Sequence, residues 1–145
     1  MLRETVATAL IDGNNGLGLL AMTMGCDLAI QKARVAGIGW FGLRGGNHPG
    51  PAALYVRSQA AAGMIGICAA VGSANHVVTW GGTDVLLGTN PPAIAAPSFW
   101  PDPFVLDMAN TVAAVGKIKT LIQRGRMMPE EWMIGCGGQR HRGLW

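Results

Sequence analysis

Loops rich in glycine and asparagine separate the apolar segments of this chain, and they constrain its fold more than any other feature. The chain has 22 glycines in 145 residues, which indicates many turns and close backbone approaches. The central example, Trp80 to Ser98, opens with Gly81-Gly82, carries Gly88-Thr89-Asn90-Pro91 and continues into the apolar segment 93–96. Asn and Thr side chains bond nearby backbone or a bound group, and proline stiffens the exit. The stretch is typical of a rigid binding loop or of an ordinary turn between strands.

Composition predicts one globular domain. A chain of 145 residues can bury roughly 68–70% of its unfolded surface, so a core is feasible. Half of the residues are hydrophobic and 13% are charged, which argues against disorder. The longest apolar run, Ala60 to Val71, is shorter than the roughly 20 residues of a membrane span, and the N-terminus has no signal region. We therefore expect a cytoplasmic protein with no membrane partner.

Charge and cysteine spacing exclude two further classes of partner. The net charge is +3, and the basic cluster near the C-terminus lacks the aromatic interleaving of a nucleic-acid site, so no nucleic acid is expected. The three cysteines are far apart and form neither Cys-x-x-Cys nor a Cys/His ligand spacing. This pattern predicts a reducing compartment and no metal site.

Hydrophobic periodicity predicts alternating strands and helices. The predicted strands are Thr5–Asp12, Ile38–Leu43 (buried), Met64–Val71 and Phe104–Leu106, and the predicted helices run from Leu19 to Val35 or Ala36, from Pro51 to Ala62, and from Asn110 or Thr111 to Gln123. Gly37, Gly63 and Gly125 are the expected helix stops. The strand, loop, helix and strand between Ile38 and Val71 predict a β-α-β unit with parallel strands.

Two loop residues could carry chemistry. His48 lies in the polar loop before the second helix, whose N-terminus could hold an anion such as a phosphate. A histidine there is either plain surface or a group that moves protons near neutral pH. Asp107 ends a strand and either accepts from a ribose hydroxyl or caps the next helix, and spacing favours the cap.

Motifs in several loops follow an order and spacing that resemble the type II malate/L-lactate dehydrogenase family, whose members include ureidoglycolate, sulfolactate and Δ1-piperideine-2-carboxylate oxidoreductases. They extend from about Val6 to Trp132. The matching pieces are Asp12-Gly-Asn-Asn-Gly-Leu-Gly18, Asn47-His48 with Gly50, Gly63-Met-Ile-Gly-Ile67, Gly81-Gly82, Leu87-Gly-Thr-Asn-Pro-Pro-Ala-Ile-Ala95, Leu106-Asp-Met-Ala109, Val115-Gly-Lys-Ile118 and Pro129-Glu-Glu-Trp132.

The resemblance implies an NAD(P)-dependent oxidoreductase that interconverts malate- or lactate-like 2-hydroxyacids and 2-oxoacids by hydride transfer. It implies an α/β fold with a mixed sheet, unrelated to the Rossmann domain. The sequence agrees, because it has no Gly-x-Gly-x-x-Gly between a strand and a helix with an acidic partner beyond. The alternative is a dinucleotide-binding module without catalysis.

The resemblance also implies roles for individual residues, with NAD or NADP as cofactor. His48 is the implied acid/base. The implied cofactor contacts are His48, Gly50, Ala52, Ser73, Asn75, Asp107, Met108 and Ala109, and the implied substrate contacts are Thr89, Asn90, Gly116 and Lys117. From helical position alone, Lys117 is a solvated charge. The implied partners are a small 2-oxoacid or 2-hydroxyacid and, in full-length members, a second copy.

The sequence departs from the family pattern at several points. Family members begin with a segment carrying Asp-Ser-His-Gly and an arginine for the substrate carboxylate, and this chain contains no Ser-His pair. Gly135 stands where an Asp is usual, and the residues after it are unlike the family. We therefore expect residues 1–134 to be a partial NAD(P)-binding domain, inactive alone, and residues 135–145 to be a divergent tail from a lost reading frame.

Overall fold

The computed structural model describes residues 1–72, 74–129 and 132–134, and it divides into two compact units. Unit 1 combines Met1–Cys68 with Ala93–Asp107, and unit 2 combines Ala69–Pro92 with the described residues after Asp107. The expected tail, 135–145, lies outside the described residues. In chain order the elements are β1 (Arg3–Glu4), β2 (Thr8–Asp12), α1 (Gly18–Ala36), β3 (Trp40–Arg44), α2 (Ala53–Ala61), β4 (Gly66–Ala69), β5 (Val77–Val78), β6 (Val85–Leu87), β7 (Pro92–Ala96), β8 (Phe104–Asp107) and α3 (Val115–Gln123).

The first sheet of unit 1 is mixed and contains the β-α-β unit of the fold. Its order is β1-β2-β3, with β1 antiparallel to β2 and β2 parallel to β3 from Thr8↔Trp40 to Asp12↔Arg44. Helix α1 is the crossover, and it ends where predicted, at Gly37, whose φ of 80° only glycine adopts without strain. A Cβ on Gly25 would overlap the Phe41 ring, so a glycine is needed where α1 lies against β3.

The predicted β-α-β unit around α2 is wrong. Strand β3 belongs to the first sheet, whereas β4 joins a second sheet of order β4-β7-β8. The reason is that β3 already has a parallel neighbour in β2, and β4 pairs instead with β7. Strands β7 and β8 are antiparallel, from Ala93↔Asp107 to Ala96↔Phe104.

A compact apolar cluster holds α2 on the second sheet. Val56 and Ala60 of α2 pack with Ala93 and Ala95 of β7, and Ala52, Cys68 and Val105 border them. Alanine at these positions lets the helix approach the strand closely. Helix α1 contacts β2, β3 and α2, so the two helices lie between the two sheets.

Several element boundaries differ from the predicted ones. Strand β3 was expected to be buried, but Trp40 is 60% exposed. Helix α3 begins at Val115 rather than at Asn110 or Thr111. The chain at Asn110 instead follows the neighbouring loop, where its N–H bonds the Thr89 carbonyl. Strands β1, β5, β6 and β7 were not predicted. Within the described part of the chain, no helix has both the length and the apolar character needed to cross a bilayer.

Candidate functional site

The loop that carries His48 is fastened to the neighbouring loop at the carboxyl ends of β2 and β3. The Asn47 side-chain amide donates to the Asn15 carbonyl (2.7 Å), to Asn15 Oδ1 (3.2 Å) and to the Gly16 carbonyl (3.2 Å). Its backbone N–H also reaches the Gly16 carbonyl at 3.3 Å. Open α/β sheets bind ligands outside the carboxyl ends of parallel strands, so this edge is a candidate site on topology alone.

The loop between β2 and α1 is itself rigid. Asn14 and Asn15 both adopt positive φ, 46° and 53°. Asp12 Oδ1 accepts the Asn14 N–H at 2.9 Å, and Asp12 Oδ2 accepts from Arg44 at 3.3 Å. The hydrogen bond from Asn14, and then Arg44, hold the pKa of Asp12 below its usual 3.8. A fixed loop therefore supplies the acceptors that Asn47 needs.

A second hydrogen bond holds the chain just after His48. The hydroxyl of Tyr55 in α2 donates to the Pro49 carbonyl. Gly50 then turns the chain toward the helix with a φ of 80°, and nothing lies within 4 Å of where its Cβ would be. His48 is exposed between these two attachments. An exposed imidazole on a braced loop is suited to contacting a ligand.

The N-terminus of α2 already has a carboxylate, which overturns two predictions. Asp107 Oδ2 accepts the Ala53 N–H at 2.8 Å. The next N–H groups, of Leu54 and Tyr55, bond the Pro51 and Ala52 carbonyls. The predicted phosphate at this N-terminus is therefore wrong, because a carboxylate of the chain takes its place and would repel it. The predicted cap on the following helix is also wrong, since Asp107 caps α2, which precedes it.

The start of α1 packs against the loop that carries His48. Gly16-Leu-Gly18-Leu-Leu-Ala21 follows a strand and opens a helix, as dinucleotide-binding glycine motifs do. However, Gly18 is buried, and a Cβ there would overlap the Asn47 carbonyl oxygen. The loop before His48 therefore packs directly against the start of α1.

In unit 2, the structure brings together Thr89, Asn90 and the segment before Ser73. Asn90, at φ 35°, accepts the Gly72 N–H on its Oδ1 at 2.9 Å, so half of its amide already braces this loop. The backbones of Gly72 and Gly88 lie against each other, where a Cβ on either would be crowded. Asn75 is exposed, and Ser73 lies outside the described residues.

The other predicted site residues of unit 2 lie on its second segment. Met108 is exposed, and its N–H bonds the Pro92 carbonyl at 3.1 Å. Ala109 is half-buried next to Asn110, whose N–H reaches the Thr89 carbonyl at 2.9 Å. Gly116 and Lys117 are exposed in the first turn of α3.

Sequence reasoning missed Asn47 and Tyr55 as functional candidates. Tyr55 is the only tyrosine of the chain and is 3% exposed. A buried tyrosine hydroxyl usually has a hydrogen-bond partner, and a tyrosine in the first turn of a helix can reach the loop before it. The sequence does not reveal that this tyrosine is buried, so its bond to the loop could not be predicted. Burial raises the pKa of Tyr55, which keeps the hydroxyl protonated as a donor.

A sequence profile described as Malate/L-lactate dehydrogenase matches residues 1–142 of the chain. The chain belongs to the malate/L-lactate dehydrogenase family. This confirms the resemblance seen in the loops. The mixed α/β, non-Rossmann fold is confirmed by the sheets of the structure, which superposes on solved dehydrogenases.

Relatives and solved structures of the malate/L-lactate dehydrogenase family align along almost the whole chain. Malate dehydrogenase of Pyrococcus abyssi is 40% identical over 144 residues, which are 99% of this chain and 39% of the relative. Ureidoglycolate dehydrogenase (NAD(+)) of Escherichia coli is 34% identical over 131 residues, 90% of this chain and 37% of the relative. The crystal structure of malate dehydrogenase from Entamoeba histolytica superposes with a TM-score of 0.91 at 34% identity, over 97% of this chain and 39% of that one. The chain thus spans about two fifths of the length of these relatives.

Proposed function

We propose that this chain is the cofactor-binding part of an NAD(P)-dependent 2-hydroxyacid oxidoreductase. Family membership supports the class of reaction, and the name of the E. coli relative includes NAD(+). The structural observation that carries the proposal is the loop of His48, fastened on both sides at the carboxyl ends of two parallel strands. Residues 1–134 form the partial NAD(P)-binding domain of a cytoplasmic enzyme that is a homodimer at full length.

The residues present fit a dinucleotide in two respects. Beside Gly50 there is open space over bare backbone, which a flat ring can approach closely. Asp107 is exposed and uses only Oδ2 toward Ala53 among the described residues, which leaves Oδ1 to accept from a ribose hydroxyl. We assign cofactor contacts to these two residues together with His48, Ala52, Ser73, Asn75, Met108 and Ala109.

The chemistry divides between the cofactor and the chain. A bound dinucleotide would supply the hydride donor or acceptor. His48 would hold the proton that the substrate oxygen gives up or takes, because an imidazole ring carries both a proton-donating and a proton-accepting nitrogen. The exposed ammonium of Lys117, next to Gly116, would attract the substrate carboxylate. Thr89 would orient it together with the side-chain NH2 of Asn90, which makes no bond to any residue that the structure describes.

Cofactor binding can be tested by comparing two glycine substitutions that strain the backbone equally. Gly50 and Gly63 have φ of 80° and 78°, and neither has an atom within 4 Å of its Cβ position. An alanine at either position should therefore cost similar stability, about 1 kcal/mol. We expect NADH or NADPH, followed by energy transfer from tryptophan, to bind Gly63→Ala like the parent chain and Gly50→Ala at least about tenfold more weakly. Equal affinity for the two variants would refute the placement of the cofactor.

Turnover separates the enzyme from a non-catalytic dinucleotide-binding module. NADH and NADPH oxidation is followed with pyruvate and oxaloacetate as 2-oxoacids. We expect these 145 residues to bind the dinucleotide without turning over, and robust turnover would contradict the predicted inactivity of the chain alone. A chain extended to the length of its relatives should then reduce a 2-oxoacid if the parent is an enzyme, and should only bind if it is a module.

A further inference from the structure

The peptide that bears His48 has a fastened residue on each side. Before it, the Asn47 amide holds three acceptors in the loop between β2 and α1. After it, the Pro49 carbonyl accepts from the Tyr55 hydroxyl. The Tyr55 ring is buried in unit 1, so its hydroxyl position is set by core packing. The exposed side chain of His48 therefore lies between two residues, Asn47 and Pro49, whose hydrogen bonds restrict their movement.

We propose that Tyr55 is a positioning residue for His48, with Asn47 as its counterpart on the other side of the loop. Tyr55 does not touch the ligand in this scheme; it fixes the Pro49 carbonyl and hence the direction in which the His48 imidazole points. A loop held this way pays little ordering cost when a ligand binds. The consequence for affinity rests on the proposed function, whereas the consequence for the order of the loop does not.

Tyr55→Phe removes only the hydroxyl and keeps the ring in the core. A matched control is Ser58→Ala in the same helix, since the Ser58 hydroxyl donates to the Tyr55 carbonyl at 2.7 Å and has no bond to the loop. Both variants lose one hydrogen bond from α2, so both lower thermal stability. Only Tyr55→Phe frees the peptide next to His48.

The first readout is ¹⁵N relaxation of the His48 and Gly50 amides in the uncomplexed 145-residue chain. We expect order parameters of about 0.85 in the parent chain and in Ser58→Ala, and below about 0.6 in Tyr55→Phe. Low values in the parent chain overturn the proposal without any variant, so it is testable even if Tyr55→Phe does not fold. Unchanged values in a folded Tyr55→Phe overturn it as well.

The second readout is NADH affinity, where we expect Tyr55→Phe to weaken binding about five- to tenfold and Ser58→Ala to leave it unchanged. A mobile loop with unchanged affinity overturns the positioning role. If the parent chain binds no dinucleotide while Tyr55→Phe makes the His48 amide mobile, the positioning role of Tyr55 is supported and the proposed function is refuted. The two failures are thus distinguishable.

Discussion

The carboxylate of Asp107, the last residue of β8, accepts the backbone N–H of Ala53, the first residue of α2, at 2.8 Å. This bond joins the end of one strand to the start of a helix that precedes it by 54 positions. It places a negative charge at the positive end of the helix dipole, where it is favourable. Asp107 belongs, with Ala109, to the motif expected to contact the cofactor. One residue therefore both caps α2 and forms part of the candidate site.

Replacing Asp107 should separate capping from charge. Asp107→Ala removes the acceptor for the Ala53 N–H and should lower the free energy of unfolding by about 0.5–2 kcal/mol. Asp107→Asn keeps an oxygen acceptor but loses the charge, so its loss should be smaller, about 0.3–1 kcal/mol. Urea unfolding followed by tryptophan fluorescence measures both. Equal losses for the two variants would mean that the oxygen acceptor contributes nothing.

A methyl group on Gly18 should be poorly tolerated. It would overlap the Asn47 carbonyl, which is backbone, so the loop before His48 would have to shift. We expect Gly18→Ala to destabilise the chain by about 1–3 kcal/mol. Gly116→Ala is the control. Gly116, like Gly18, lies in a first helical turn, but no atom lies within 4 Å of its Cβ position, so this substitution should be neutral or stabilising. Thermal unfolding of the two variants tests this difference in stability. Equal unfolding midpoints would contradict the overlap between a Cβ on Gly18 and the Asn47 carbonyl.

The ion pair between Lys32 and Glu4 should respond asymmetrically to mutation. The Lys32 side chain is 8% exposed and donates to Glu4 Oε1 at 2.9 Å, whereas that of Glu4 is 49% exposed. Glu4→Ala leaves the buried ammonium with the Thr5 carbonyl as its one remaining partner among the described residues, and it should cost about 1–3 kcal/mol. Lys32→Met leaves the glutamate to water and should cost less than about 1 kcal/mol. Urea unfolding of the two variants tests the order, which would be reversed if the lysine were solvated.

Stability should fall at high pH because of Cys26. This thiol is 2% exposed, and burial raises its pKa from 9.0 to about 12. The folded chain thus keeps a proton that the unfolded chain releases, so stability is complete below pH 9 and declines as pH rises from 9 toward 12. The slope from this group is at most about 1.4 kcal/mol per pH unit.

Cys26→Ala should flatten that decline in urea unfolding measured across the same pH range. Cys68 and Tyr55 also have raised pKa values, mainly through burial, so part of the slope should remain. Native alkylation at pH 8, mapped by mass spectrometry, should leave Cys26 unmodified and should label it fully in guanidinium. Rapid labelling of Cys26 in the native chain would contradict its burial.

Local patterns were sufficient to place most elements of the fold. The apolar spacing of α1 and the glycine at position 37 predict that helix to within one residue of its observed start and end. Strand β8 was likewise predicted, because a short apolar run ends on an acidic residue. Sheet membership was not predictable, since β4 could pair with β3 or with β7 and nothing within either segment distinguishes them.

The resemblance to the family named candidate site residues, but it could not give their contacts. The resemblance pointed to His48 and Asp107, and the structure places both in unit 1. It could not reveal that Asp107 caps α2 or that Tyr55 bonds the Pro49 carbonyl, because both bonds depend on how the chain packs in three dimensions. Whether these residues bind a dinucleotide stays a prediction.

The division of unit 1 between Met1–Cys68 and Ala93–Asp107 has a consequence for synthesis on the ribosome. Val56 and Ala60 have emerged long before Ala93 and Ala95, which complete their packing. A nascent chain therefore exposes this face of α2 until β7 and β8 have been translated, and a stop codon between positions 68 and 93 would leave it uncovered for good. Chaperones that bind apolar helices should engage the chain in that interval and release it once β8 has left the exit tunnel.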